Sequence, residues 1–163
     1  MKCAFTGHRP DRFSFKYDES DPRCAQFKLL LKDTIRKLYE MGADCFISGM
    51  ALGSDLFLAE SVLELKNEGL DLCLECAVPY RAQSEAWPRG LKYRYNIAIE
   101  AARRVIYISE KYVSDCFYRR NEYLVAGCDI LLAVYDGSYG GGTYQTIELA
   151  RKRDKEIVII KSP

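Results

Sequence analysis

The chain has 163 residues, 48% hydrophobic and 29% charged, with a formal net charge of +1, the composition of an ordinary globular protein long enough for one domain with its own core. A near-neutral chain lacks the global field that recruits nucleic acid or an anionic membrane, so neither is expected as a partner and any anionic ligand must be held locally. No run approaches the ~18 apolar residues of a membrane span. Met1-Lys2-Cys3-Ala4-Phe5 leads straight into a strand pattern instead of a signal peptide, and a single cytoplasmic domain over residues 1–163 is expected.

Strand patterns fall at residues 2–6, 44–48, 72–78, 104–108, 129–134 and 156–161, with helical patterns between them at 25–41, 55–67, 91–102, 117–127 and 143–153. The first helix places Phe27, Leu30, Leu31, Thr34, Leu38 and Met41 on one side, and the second aligns Leu56, Ala59, Val62 and Leu63. Gly42 and Gly69 stand where these helices should stop, and Asp44 and Asp71 follow in short returns to the next strand. Strands alternating with helices predict an α/β, Rossmann-like fold: a mainly parallel sheet of about six strands with helices on both faces.

Right-handed crossovers put every strand-to-helix loop on one edge of such a sheet, where ligands bind near a change in strand order. After the first strand comes Gly7-His8-Arg9-Pro10 and a long polar and aromatic stretch, a candidate lid. Arg9 suits bidentate binding of phosphate or carboxylate, whereas for His8 a structural hydrogen bond outweighs acid–base chemistry. The second loop, Ser48 to Asp55, brackets a tight turn with Gly49 and Gly53 and offers Ser54 or Asp55 as a helix cap. The third runs from Pro79-Tyr80-Arg81 to Gln83, Trp87 and Arg89, and the fourth carries Ser109, Lys111 and Tyr112. Twelve tyrosines in one small domain mostly fill core edges, so Trp87 and its neighbours are assigned to packing. Arg103-Arg104, Arg119-Arg120 and Arg151-Lys152-Arg153 are interleaved with acidic residues and read as solvated helix faces.

The fifth loop is the most informative. A continuously apolar run, Ile130-Leu131-Leu132-Ala133-Val134, as in a strand covered on both faces, leads through Asp136 to Gly140-Gly141-Gly142 and then into a helix. Glycines let backbone N–H groups approach an anion, and the first helical turn leaves its amides unpaired. Thr143 and Thr146 add hydroxyl donors to what has the layout of a phosphate cradle; the plainer alternative is a flexible turn with Thr143 as cap.

Seven cysteines, an odd number, fit reduced buried thiols better than a secreted disulfide framework. Cys73 and Cys76, three apart on a strand, point to opposite faces and cannot converge. With no second such pair and a single histidine, no transition-metal site is expected.

The strings Thr6-Gly7-His8-Arg9-Pro10, Ser48-Gly49-Met50-Ala51-Leu52-Gly53-Ser54-Asp55 and Gly141-Gly142-Thr143-Tyr144-Gln145-Thr146 together resemble the YpsA-like family of the SLOG superfamily, which also includes the DNA-processing protein DprA and the cytokinin-activating LOG enzymes. The second string is similar to the Ser-Gly-x-Ala-x-Gly-x-Asp pattern of DprA, and Gly142-Thr143-x-x-Thr146 to its later glycine-rich turn. The resemblance, from residue 5 to the last helix, implies a Rossmann-like sheet and a pocket for a nucleotide or nucleotide-derived sugar. The residues expected at that pocket are Gly7, His8, Arg9, Ser48, Gly49, Gly53, Asp55, Arg81, Gly140, Gly141, Gly142, Thr143 and Thr146.

LOG enzymes, which cleave an N-glycosidic bond, resemble Gly-Gly-x-Gly-Thr-x-x-Glu at this turn, but here Thr146 stands in place of the glutamate. Glu148 would lie ~160° around the helix from that position. Nucleoside deoxyribosyltransferases resemble the region through Asp136-Gly137 and lack a counterpart glutamate here too. An oxocarbenium-like transition state needs a nearby carboxylate, which leaves Asp55, Asp136 and Glu122 as candidates. The expected function is therefore binding of a nucleotide-derived ligand, such as an ADP-ribose or NAD-type molecule, by a sensor or regulator that requires no cofactor. The alternatives are a nucleotide N-glycoside hydrolase or transferase and a DprA-like single-strand nucleic-acid module, against which the near-neutral charge weighs. Homo-oligomerisation and protein partners stay open.

Overall fold

The computed structural model describes all 163 residues. Its elements are β1 (Lys2–Gly7), α1 (Pro22–Glu40), β2 (Cys45–Ser48), α2 (Ser54–Asn67), β3 (Cys73–Val78), α3 (Arg89–Ala101), β4 (Arg104–Tyr107), α4 (Cys116–Ala126), β5 (Ile130–Tyr135), α5 (Gly141–Lys152) and β6 (Glu156–Lys161), with a 3-10 turn at Pro10–Arg12. The strands form one sheet in the order β4-β3-β2-β1-β5-β6, and every neighbouring pair is parallel. The fold is thus α/β and Rossmann-like, as the alternating pattern predicts.

Two cores flank the sheet. Helices α1, α2 and α3 cover one face over Phe5, Phe46, Leu74 and Leu132, while α4 and α5 cover the other over Ala4, Ile47, Ala77, Leu131 and Ala133. Burial on both faces is why β5 reads as an unbroken apolar run. Helix α1 begins three residues before its predicted start because Pro22 presets the first turn and Asp21 caps it, accepting from the Arg23 N–H at 2.8 Å. Helix α2 is buried from Ser54 through Ala59 and again at Ser61, Val62 and Leu65, since it contacts α1 and α3 as well as the sheet.

From β1 the chain steps outward through β2, β3 and β4, and α4 then carries it back to β5 on the other side of β1. Helix α1, after β1, and α5, after β5, lie on opposite faces. The segments leaving the C-terminal ends of β1 and β5, which stay paired as far as Gly7 and Val134, therefore diverge to opposite faces and leave a crevice at the reversal of strand order.

The long segment after β1 is a pinned strap and not a free lid. Phe13 and Phe15 are buried at 3% and 4% exposure, with the Phe13 ring against Phe27 and Phe57. The Ser14 N–H donates to the Pro163 carbonyl at 2.9 Å, and Glu19 pairs with Lys28 and Arg94. Length alone predicted mobility, but the aromatic residues have entered the core.

Five cysteines are free and buried. Cys45 and Cys73 depart from the expectation of thiols throughout: they are register partners on β2 and β3, with Cα atoms 4.6 Å apart and their sulfurs paired as a disulfide. In-register parallel strands set side chains of equal pleat side by side, which spacing along the chain does not reveal. No helix is long and apolar enough to cross a membrane.

Candidate functional site

A cavity of about 440 Å³ opens at the C-terminal ends of β1 and β5, within the range of roughly 300–1,000 Å³ that small ligands occupy. The end of β1 and the segment after it supply Gly7, His8, Arg9, Asp11 and Arg12; the turn into α2 and its first residues supply Ala51 and Asp55. Helix α4 adds Phe117, Arg120, Asn121 and Leu124, and the start of α5 adds Gly140 through Thr143.

At α5, Gly140 and Gly141 have φ of +85° and +79°, in the left-handed region that glycine enters without a steric penalty. The helix consequently starts at Gly141, two residues before the predicted Thr143, and no side chain caps it. Its first-turn amides therefore lack an intrahelical acceptor at the cavity wall. Thr143 lines the cavity. Thr146 is fully buried and its Oγ1 donates to the Gly142 carbonyl at 2.7 Å, so it closes the helix turn and does not reach a ligand.

Across the cleft, the Arg9 guanidinium lies over the Phe117 ring, 5.4 Å from its centre, and no carboxylate pairs with it. Arg12 bonds Asp136 at 2.9 Å. His8 Nε2 lies 3.0 Å from Asp136 Oδ1 and accepts from the Asp136 N–H at 3.3 Å; burial lowers the imidazole pKa from its ordinary value against the pull of Asp136, so the ring is neutral at neutral pH. Asp136 also accepts from the Ser138 N–H at 2.9 Å and the Ser138 hydroxyl at 2.6 Å. The Ser138 bonds, with Arg12 and His8, hold the Asp136 carboxyl well below the usual carboxylate range. Its acceptors are thus occupied in tying the β5 loop to the β1 loop.

The cavity floor is an ion pair, Asp55 Oδ2 to Arg120 Nη1 at 3.1 Å, with the residues 4% and 8% exposed. Burial pushes the Asp55 carboxyl up, opposed by Arg120 and the Ala51 N–H. Arg120 Nε donates to Asn121 Oδ1 at 3.0 Å. Sequence reading assigned Arg119-Arg120 to a solvated face; for Arg120 the structure corrects this. Helix α4 buries Cys116, Arg120 and Leu124, a four-residue spacing that puts the arginine inside the apolar stripe. That spacing was the available signal for Arg120.

Several glycines of the recognised strings build this floor through close packing. A Cβ on Gly49 would stand 1.6 Å from Arg120 Nη1, and one on Gly7 2.5 Å from the Ser54 Cβ. Ser48 is fully buried; its hydroxyl donates to the Asp55 carbonyl at 2.9 Å and accepts from the Met50 N–H at 3.1 Å. Ser48, Gly49, Gly53 and Thr146 therefore lie behind the wall, whereas Gly7, His8, Arg9, Asp55, Gly140, Gly141, Gly142 and Thr143 line the cavity. Arg81 lies outside it, paired with Glu110 at 2.9 Å and stacked over Tyr107. Of the three carboxylates considered for catalysis, Asp55 alone lines the cavity, while Glu122 faces Arg153 at 3.9 Å. Asp11, which the sequence did not single out, lines it without a side-chain partner.

A doubly wound parallel sheet with a cleft at its strand-order reversal, walled by an uncapped glycine-led helix and a basic loop, defines a Rossmann-like α/β protein. The chain belongs to the YspA SLOG family: residues 3–162 match the YpsA family profile. It is 31% identical over 153 residues to UPF0398 proteins of Bacillus thuringiensis (strain Al Hakam) and Bacillus cereus (strain AH187), which covers 92% of this chain and 82% of each relative. Among solved structures it is similar to DNA processing protein A from Helicobacter pylori, with a TM-score of 0.64 and 21% identity. That match covers 98% of this chain and 64% of the Helicobacter chain, whose structure describes a single-stranded DNA binding mode.

The exclusion of nucleic acid from net charge is overturned by this likeness. The same fold serves a protein that binds single-stranded DNA, and a formal +1 summed over the whole surface does not describe the field at one edge, where Arg9 and Arg12 stand.

Proposed function

We propose that the cleft between β1 and β5 binds the phosphate of a nucleotide-derived ligand, an ADP-ribose or NAD-type molecule among them, and that the protein acts as a sensor or regulator. One observation carries this: the uncapped start of α5 shares its cavity with Arg9, a guanidinium without a carboxylate partner. Anions are stabilised at such helix starts, and arginine adds bidentate donors. Binding without turnover fits the carboxylates better than glycosidic cleavage does, because Asp55 is held by Arg120 and Asp136 by three partners.

Thermal unfolding with AMP, ADP, NAD and ADP-ribose tests this. A ligand at a hundred times its Kd stabilises by about 2.7 kcal/mol, which raises the Tm of a chain this size by roughly 5–10 °C. Arg9→Ala should weaken the shift. No shift with any nucleotide at millimolar concentration contradicts the proposal.

A second reading, single-strand nucleic-acid binding, is favoured by Tyr139, which is 90% exposed beside the glycines and stands edge-on to Tyr144 with ring centres 5.6 Å apart. Exposed aromatics next to a basic groove are what successive bases stack on.

A further inference from the structure

A second, smaller cavity of about 140 Å³ adjoins the first. The two share Arg9, Asp11, Ala51 and Phe117, so a molecule can run from one into the other. The walls differ in chemistry. The larger cavity has the helix start and the cations, whereas the smaller is lined by Tyr17, Leu52, Tyr80, Trp87 and Phe117. Its size suits a single planar ring system.

Besides Arg9 and Asp11, which it shares with the larger cavity, Gln83 is the polar group set into this lining. The residue is 7% exposed, and its Nε2 donates to the Met50 carbonyl at 2.6 Å. A carbonyl can only accept, so this bond fixes which end of the amide is nitrogen. The Gln83 Oε1 is left as an acceptor with no protein donor. Met50 in turn is buried with φ of +55°, a conformation that non-glycine residues enter at a cost. The Ser48 hydroxyl and the Gln83 amide together hold that turn.

We propose that the small cavity is a nucleobase subsite, and that Gln83 Oε1 selects bases carrying an exocyclic amino group, adenine or cytosine over hypoxanthine or uracil. This rests on the phosphate lying in the larger cavity. The base stacks among Tyr80, Trp87 and Phe117, and its amino group donates to Gln83. A base with a carbonyl at that position sets acceptor against acceptor, and turning the amide over to relieve this forfeits the bond to Met50.

The test is calorimetric titration of the full chain with AMP, IMP, CMP, UMP and ribose 5-phosphate, with fluorescence of Trp87, the single tryptophan, read in parallel. The expected result is that AMP binds roughly tenfold tighter than IMP, and CMP than UMP, as for one buried hydrogen bond replaced by a repulsive contact. Ribose 5-phosphate binds more weakly and leaves Trp87 fluorescence unchanged, whereas AMP alters it. Tyr80→Leu should weaken AMP and leave ribose 5-phosphate as it was. Equal binding within each base pair overturns selection by Gln83. Nucleotides no tighter than ribose 5-phosphate, with silent Trp87, overturn the subsite while leaving the phosphate site standing. Binding by none of the five overturns both.

Discussion

Arg120 shows how a single side chain can set the shape of a cleft. Its guanidinium fills the space above Gly49 that a side chain would occupy, and it pairs there with Asp55. Removing one member of a buried pair strands the other, at a cost of roughly 3–5 kcal/mol. Arg120→Met should therefore lower the free energy of unfolding by about that amount in urea titration, and Gly49→Ala should do so too by displacing the guanidinium. A Gly49→Ala protein with unchanged urea midpoint would refute the role given to this contact. His8 makes a pH-dependent prediction. Burial lowers its folded pKa below the ordinary 6.5, so as pH falls past that value the unfolded chain takes up the proton first and the folded state loses stability. Tm should consequently drop as pH is lowered from 7 through the ordinary histidine range, and the drop should be smaller in His8→Gln. Asp136 acts lower on the scale: its depressed carboxyl contributes stability above the ordinary carboxylate range, and that contribution is lost as pH falls below it. A bound pyrophosphate diester, whose own charge is constant over the histidine range, should bind more tightly as His8 gains its proton, which calorimetry of ADP-ribose between pH 7 and 5.5 would read.

In what each element brings to the cleft, α5 is the most legible and α4 the least, although the pattern places α4 itself to within one residue at each end. The run from β5 into Gly140-Gly141-Gly142 announces a strand, a turn and a helix start from local pattern alone, and the fold realises all three. Only the first turn was misplaced, because Thr143 looks like a cap and positive φ at two glycines is not visible in composition. By contrast, α4 delivers Phe117, Arg120 and Asn121 to the cleft through a crossover that joins residues far apart in sequence, and a buried arginine reads as a surface one until its stripe is drawn. The Cys45–Cys73 pair and the pinning of Phe13 and Phe15 were hidden for the same reason: strand register and long-range packing decide them. The legible end of α5 also supplies a clean perturbation. A Cβ on Gly142 meets nothing closer than Asn121 Nδ2 at 3.9 Å, and an acidic residue in the first turn interacts favourably with the helix dipole. Gly142→Glu should therefore match or exceed wild-type Tm while its carboxylate occupies the place of the anion.

For the whole molecule, the two proposed ligands of the cleft are a free nucleotide and one link of a strand. Family membership and the shared Rossmann-like sheet are compatible with either, and neither follows from a formal charge of +1. The two differ in salt dependence. An oligonucleotide whose phosphates displace counterions should lose affinity steeply between 50 and 200 mM salt, by about one to three decades for a few contacts, and Tyr139→Ala should weaken it. A mononucleotide held in the cavity should respond little to either change. Titration of AMP, NAD and ADP-ribose into wild-type and Gly142→Glu protein by calorimetry tests the central claim most directly. The account predicts that wild type binds at least one of them and that Gly142→Glu, folded with an equal or higher Tm, binds none. Binding of equal strength to both proteins, or to neither at millimolar ligand, would contradict a phosphate site at the start of α5.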